Sequence, residues 1–425
     1  MVTLVTLRVM GRQVDDQRVT QLERVSLIEL MKDPTVRADP YPTYARLQAT
    51  GLVLPTTLGG WLLSRHAEVF AVLRDTRFSS SSRHQAGYEQ FAELGRQLGL
   101  SDLQDLMGRV MLFADPPDHT RLRRIVGKAF TARTVEDMRP RIAAIVDGML
   151  DAVAGDGGAD LVEALAFPLP VTVISDMLGV PDEDHETLRS WTAEAVKALD
   201  PSDDMTVFFP AAEAIRALRT YFDELVGHRR RALGSDLLSA LIAAEDDGDR
   251  LSHEELLDTA ILLFGAGHET TVNLIAGGAL NLLRHPGELA RLQAEPTLIT
   301  SAVEELLRFG PPVQLTARIA TAEVELAGQP IAAGTEVVAL IAGANRDPEV
   351  FEHPDRLDIG RRDNRHLSFG GGIHHCLGAP LARIEGQEAI GRLIGRFPDL
   401  ALAEPEIEWK PTSTIRGPQR LALVW

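Results

Sequence analysis

The chain has 425 residues, with 43 Lys+Arg against 61 Asp+Glu, a net charge of −18, and only 5% aromatic residues. That acidic, aromatic-poor balance excludes the basic footprint and stacking platforms of a nucleic-acid binder, while 45% hydrophobic and 24% charged residues suit a globular protein with a large core. A single cysteine excludes an internal disulfide, a Cys-based zinc site and an iron–sulfur cluster, and it fits a cytoplasmic protein.

The opening MVTLVTLRVM is short and interrupted by Arg8, so neither a signal peptide nor a membrane span is expected there. No later apolar run reaches the roughly 18 residues of a spanning helix. Residues 1–25 are expected to form a loose tail and residues 26–425 one domain, since no linker, biased block or fixed-period repeat divides them. Residues 60–63 read as a strand, and residues 79–109, opening on four serines, as an irregular stretch. Residues 140–153 carry Ile142, Ile145, Val146 and Met149 on one helical face. Residues 199–210 read as an acidic loop ending in Phe208 and Phe209, of the kind that forms lids. Long helical spacing returns over 253–283 and 298–308, the latter broken by Gly310-Pro311-Pro312. Residues 324–331 and 336–341 read as strands with turns at Gly328 and Gly334. The predicted fold class is therefore mainly α, helix-rich, with a small β-sheet region.

Cys376 stands in Phe369-Gly-Gly-Gly-Ile-His-His-Cys-Leu-Gly378, followed by Ala379 and Pro380. Pro380 suits a first helical turn, which places the thiol before a helix N-terminus where free N–H groups and the dipole favour a thiolate. Gly370, Gly371 and Gly372 permit close backbone approach to something flat or bulky. An inert buried Cys is the plain alternative, and a Cys–His nucleophile using His374 or His375 is another, although no oxyanion element is recognisable. In the 253–283 helix, Gly265-Ala266-Gly267-His268-Glu269-Thr270-Thr271 turns abruptly polar and weakens the helix locally.

The 369–378 run is similar to the heme-binding loop of the cytochrome P-450 superfamily, with Phe369, Gly372, Cys376 and Gly378 at every fixed place. The resemblance implies heme b as cofactor, Gly370 among the residues against it, and Cys376 as its iron ligand, a thiolate that favours O–O cleavage. Ala266, Gly267, Glu269 and Thr270 resemble the family's oxygen-binding groove, which implies a proton relay using the Thr270 hydroxyl and the Glu269 carboxylate. Glu305 and Arg308 resemble its Glu-x-x-Arg pair, with Arg356 implied as the third member. By the same resemblance His119, Arg123, Arg318 and His374 meet the heme propionates, carboxylates that call for cationic or imidazole partners.

These motifs run in order over residues 27–425, and their wording is closest to actinobacterial-type members that tailor polyketides, including macrolides. The implied activity is a monooxygenase that uses O2 to hydroxylate or epoxidise a hydrophobic small molecule. A steroid, terpenoid or fatty acid would serve the same chemistry. A heme protein that binds a ligand without turnover is the reading from another class, against which the Glu269–Thr270 pair argues. No flavin or nicotinamide fingerprint is visible, so a ferredoxin and an NAD(P)H-dependent ferredoxin reductase are the implied partners. Arg121, Arg124, Lys128, Arg361, Arg362 and Arg365 are candidate docking cations for an acidic ferredoxin. The implied pocket is lined by residues 79–109, the 199–209 segment, Leu262, Leu263, Ala266, Val313, Gln314, Leu315 and residues 413–415.

Overall fold

The computed structural model describes residues 24–128, 130–246 and 251–425. The tail expected over residues 1–25 lies, up to residue 23, outside the described residues, while Val25 bridges to Thr56. Helices dominate, and the sheets are small, as the sequence implies.

The axis of the fold is the helix His253–Arg284. It starts at a capping box: the Glu255 N–H donates to Ser252 Oγ at 3.1 Å, and the Ser252 N–H donates to the Glu255 carboxylate at 2.8 Å. Apolar residues then occupy nearly its whole circumference, which makes it a central rather than a surface helix. Helices Pro168–Leu178, Phe208–Arg231 and Ala379–Arg396 pack around it in the largest core cluster. Gly278 marks a tight junction: a Cβ there would stand 2.9 Å from Ile390 and 3.2 Å from Leu306.

A five-stranded sheet takes the order Val53–Pro55, Trp61–Leu63, Glu336–Ala339, Thr316–Ala320, Phe78–Ser79. Trp61–Leu63 pairs with Glu336–Ala339 in parallel, and the other pairings are antiparallel, with Arg318 opposite Val337. The sequence expectation for residues 336–341 is corrected at its end, because Ile341 opens the short helix Ile341–Ala344.

Two stretches are more regular than their composition suggests. Residues 79–109 contain helices Tyr88–Gln97 and Ser101–Arg109, whose short apolar faces bury Phe91, Ala92 and Leu103. Gly99, at φ 76°, turns the chain between them. Phe208 and Phe209 are no loop residues either: they form the first turn of helix Phe208–Arg231, with Phe208 fully buried.

The Glu305–Arg308 pair is a sealed hub. Both side chains are 0% exposed, and the guanidinium meets the carboxylate bidentately at 2.8 Å on each arm. The third member is Arg361, with Nε 3.0 Å from Glu305, and not Arg356. Arg356 contributes only its carbonyl, which accepts from Arg308 at 3.2 Å. The chain turns between residues 356 and 361, where the Arg361 N–H donates to the Asp358 carbonyl at 3.0 Å.

Candidate active site

The cysteine loop is fixed by its own backbone. The Cys376 N–H donates to the Phe369 carbonyl at 2.8 Å, and the Gly370 N–H to that of Leu367 at 2.8 Å. Gly372 has φ 64°, and a Cβ on it would lie 2.4 Å from the Leu73 carbonyl oxygen, so only glycine lets the loop press against helix His66–Arg74. Gly370 is also left-handed, at φ 69°, whereas a Cβ on Gly378 would meet no atom within 4 Å. Helix Ala379–Arg396 begins directly after, with Pro380 in its first turn. N–H groups of Gly378 and Ala379, together with the charges of Arg123 and Arg383, favour the thiolate at Cys376, as the sequence suggests. Burial is stronger, however, and pushes the thiol above its ordinary value. Cys376 is nonetheless accessible, beside the cavity-lining residues Phe369, Gly370 and His374.

Four basic side chains converge there from three segments. His119 and Arg123 come from helix Asp118–Gly127, Arg318 from strand Thr316–Ala320, and His374 from the loop. The His119 and His374 rings lie 4.3 Å apart, and both nitrogens of buried His119 lack a hydrogen-bond partner. Arg318, also buried, donates only to Thr316 Oγ1 and the Ala317 carbonyl, and burial presses its pKa down to about 10. Burial, and then the charges of Arg318, His119 and Arg123, hold His374 down at about 3. Arg123 donates to the His375 carbonyl at 2.6 Å. Among the described residues no carboxylate forms an ion pair with any of the four; Asp115, the nearest acid to act on them, is held by Ser79 and His84 at 2.5 and 3.0 Å. Buried donors without acceptors are costly, so this cluster is built for an anion that arrives with a ligand.

On the long helix, Ala266 is exposed and Thr270 half-buried, while Phe264, His268, Glu269 and Thr271 are buried. The accessible strip of the helix thus runs through 266 and 270. Thr270 Oγ1 donates to the Ala266 carbonyl at 3.1 Å and Thr271 Oγ1 to that of Gly267 at 3.4 Å. Gly267 leaves room for Ile174, 3.2 Å from where its Cβ would be. Leu274, one turn beyond Thr270, packs in the same small cluster as Phe369, which joins this helix to the cysteine loop. The two acid–hydroxyl partners separate: Glu269 receives the Lys410 ammonium at 2.5 Å and makes no hydrogen bond to Thr270. Lys410 and His268 hold its carboxyl below the usual value against the opposing effect of burial.

Sequence reasoning missed two groups. Lys410 lies 141 residues from Glu269, and no local pattern marks it. Glu385 is buried on helix Ala379–Arg396 beside Thr271, with one carboxylate oxygen unpartnered, and burial raises its pKa to about 8. Its signal was available: an acid in the middle of the apolar face formed by Leu381, Ile384, Ala389 and Ile390. The implied pocket wall is also corrected. Leu263 belongs to the main core, Leu315 packs in a cluster with Leu27 and Tyr44, and the Gln314 amide is spent on the Pro311 carbonyl and Tyr44 hydroxyl. Val313, Met107, Leu112 and Ile319 do line the cavity, together with Ser80 and Ser82. Of the candidate docking cations, Arg121 pairs with Glu255 and Arg361 is consumed by Glu305; Arg124, Lys128, Arg362 and Arg365 are exposed, with Arg365 paired to Asp363 at 2.8 Å.

A helical fold that keeps one thiol beside two imidazoles and two guanidiniums with no carboxylate partner among the described residues describes a class: proteins assembled around a large, planar, dianionic cofactor. The chain belongs to the cytochrome P450 family, whose sequence model matches residues 82–408. It is 45% identical over 398 residues to cytochrome P450 monooxygenase PikC of Streptomyces venezuelae, covering 91% of each chain. It is 40% identical to the polyketide biosynthesis cytochrome P450 PksS of Bacillus subtilis (strain 168), covering 86% of this chain and 89% of that one. Among solved structures, P450BioI in complex with an acyl carrier protein ligated to hexadec-9Z-enoic acid superposes with a TM-score of 0.85 at 37% identity, covering 92% of this chain and 99% of that one. The protein is thus an oxidoreductase of the P450 monooxygenase family, and its cofactor is heme. The residues fit it: the orphaned His119 nitrogens and uncompensated Arg318 are complementary to two propionates. Among the described residues no helix is long and apolar enough to cross a membrane.

Proposed function

We propose that this protein hydroxylates or epoxidises a hydrophobic natural product, a polyketide or macrolide before a steroid, terpenoid or fatty acid, within one domain spanning residues 26–425. The observation that carries the site assignment is the cluster of His119, Arg123, Arg318 and His374 next to Cys376, in which His119 and Arg318 are buried and none of the four pairs with a carboxylate among the described residues. Heme, when bound, supplies the binding and reduction of dioxygen at iron. Cys376 serves as its thiolate ligand, with its N–H tied to Phe369 so that the sulfur is held in place. The four basic groups bind the propionates. Thr270 Oγ1 holds a proton on the accessible strip of the long helix, and Glu269 resupplies it from the buried side. Met107, Leu112, Val313 and Ile319 offer an apolar wall that orients the substrate and excludes water. Electrons come from a ferredoxin and its NAD(P)H-dependent reductase, docking on the face that carries Arg124, Lys128, Arg362 and Arg365. The name of PksS supports the polyketide reading.

The test is spectroscopic. The reduced, carbon-monoxide-bound protein is expected to show the red-shifted Soret band of a thiolate-ligated heme, and Cys376→Ser to lose it. Retention of that band in the variant refutes the ligand assignment. Substrate class is read by titrating macrolactones, steroids, terpenes and fatty acids for displacement of the water on ferric heme. A response confined to fatty acids overturns the polyketide reading.

A further inference from the structure

Given the relay role proposed above for Glu269, we propose that Lys410 is its positioning residue, and that the hairpin bearing Lys410 couples this pair to the 199–204 loop. Residues 408–419 form that hairpin. The Gln419 N–H donates to the Glu408 carbonyl at 2.7 Å, the Lys410 N–H to that of Gly417 at 3.0 Å, and Arg416 lies 3.7 Å over the Trp409 ring. Its tip pairs with residues 312–314, where the Gln314 N–H donates to the Thr414 carbonyl at 2.9 Å and the Arg416 N–H to that of Pro312 at 2.8 Å, and is gripped on two further sides. On one, the Ser413 and Thr414 N–H groups donate to the Asp200 carboxylate at 2.8 and 2.7 Å, and Thr414 Oγ1 donates to the Leu199 carbonyl at 3.2 Å. On the other, Arg416 donates to the carbonyls of Arg37 and Ala38 at 2.8 and 2.7 Å, and Ser413 Oγ to that of Met31 at 3.0 Å.

Between these grips, Lys410 reaches inward to Glu269. The two side chains are only 15% and 12% exposed, so the ammonium acts through little water. The other groups that act on Glu269 are weaker. His268 stands 3.9 Å away, with its ring engaged by the Phe264 carbonyl and Thr192 Oγ1. Arg189, from helix His185–Val196, is taken by Glu163. Lys410 is therefore the group that keeps Glu269 ionised and away from Thr270. Since its hairpin is seated on Asp200, a movement of the 199–204 loop changes how firmly Glu269 is held.

The holoenzyme and its Lys410→Met, Lys410→Arg and Asp200→Asn variants test this by infrared titration of Glu269, assigned by the band lost in Glu269→Gln. Each variant is first shown to keep the thiolate-type Soret band, which separates failure of this coupling from failure of the functional reading. In Lys410→Met the titration midpoint is expected to rise by about one pH unit or more, because burial is no longer opposed. Lys410→Arg restores it. Asp200→Asn is expected to speed hydrogen–deuterium exchange over residues 410–416 and to move the midpoint in the same direction by less. An unchanged midpoint in Lys410→Met overturns the positioning role. Faster exchange in Asp200→Asn with an unmoved midpoint overturns the coupling.

Discussion

Glu305 and Glu269 are both buried glutamates on helices, and each faces a cation, yet their surroundings differ in kind. Glu305 accepts five hydrogen bonds, from Arg308 twice, Arg361, Asn364 and the Asp358 N–H, and is 0% exposed. Glu269 accepts one ammonium and stands beside a strip of helix that stays accessible. A carboxylate saturated with fixed donors has no state to move to. One held by a single flexible lysine can exchange partners, and that is the property a proton carrier needs.

Substitutions on the two sides should therefore fail differently. Glu305→Gln leaves Arg308 and Arg361 buried without their counter-charge, so unfolding in urea should show a loss of about 3–5 kcal/mol, with poor heme incorporation. Thr270→Ala should keep heme and fold but divert reducing equivalents, raising hydrogen peroxide released per NAD(P)H consumed by about tenfold or more. Unchanged coupling would remove the hydroxyl from the relay. Arg318→Leu should lie between the two classes, folding normally but transferring heme to apomyoglobin roughly tenfold faster, as expected for one charge-assisted contact. Glu385 gives the smallest and most conditional effect. Its folded pKa of about 8 exceeds the ordinary 4.5, so the folded state binds the extra proton and stability should fall as pH rises from about 4.5 to about 8. Glu385→Gln should flatten that fall in urea titrations across pH, and equal slopes for both proteins would contradict the buried-acid assignment.

What the sequence reveals follows the distance over which each feature is encoded. The cysteine loop is local: its glycines, the thiol and Pro380 fall within a dozen residues, and the backbone that needs them is the one they form. The long helix is equally legible, since its apolar period and Ser252–Glu255 cap are internal to it. Helices Tyr88–Gln97 and Ser101–Arg109 escaped detection because each has barely three turns, and flanking serines and glycines dominate the composition. Arg361 was hidden for another reason: the chain bend that swings it onto Glu305 has no signature, and Arg356 looked as suitable. Lys410 and Asp200 depend on the meeting of segments far apart in sequence, which only the assembled fold specifies.

The unpaired cluster of His119, Arg123, Arg318 and His374 has a consequence for what the apoprotein will accept. On the proposed assignment, recognition of the carboxylate rim rests mainly on His119, Arg123 and Arg318, which lie on segments other than the cysteine loop, while Cys376 addresses the centre. Rim and centre can therefore be varied separately. A porphyrin carrying another metal should still be captured, whereas one with esterified carboxylates should be refused even if it contains iron.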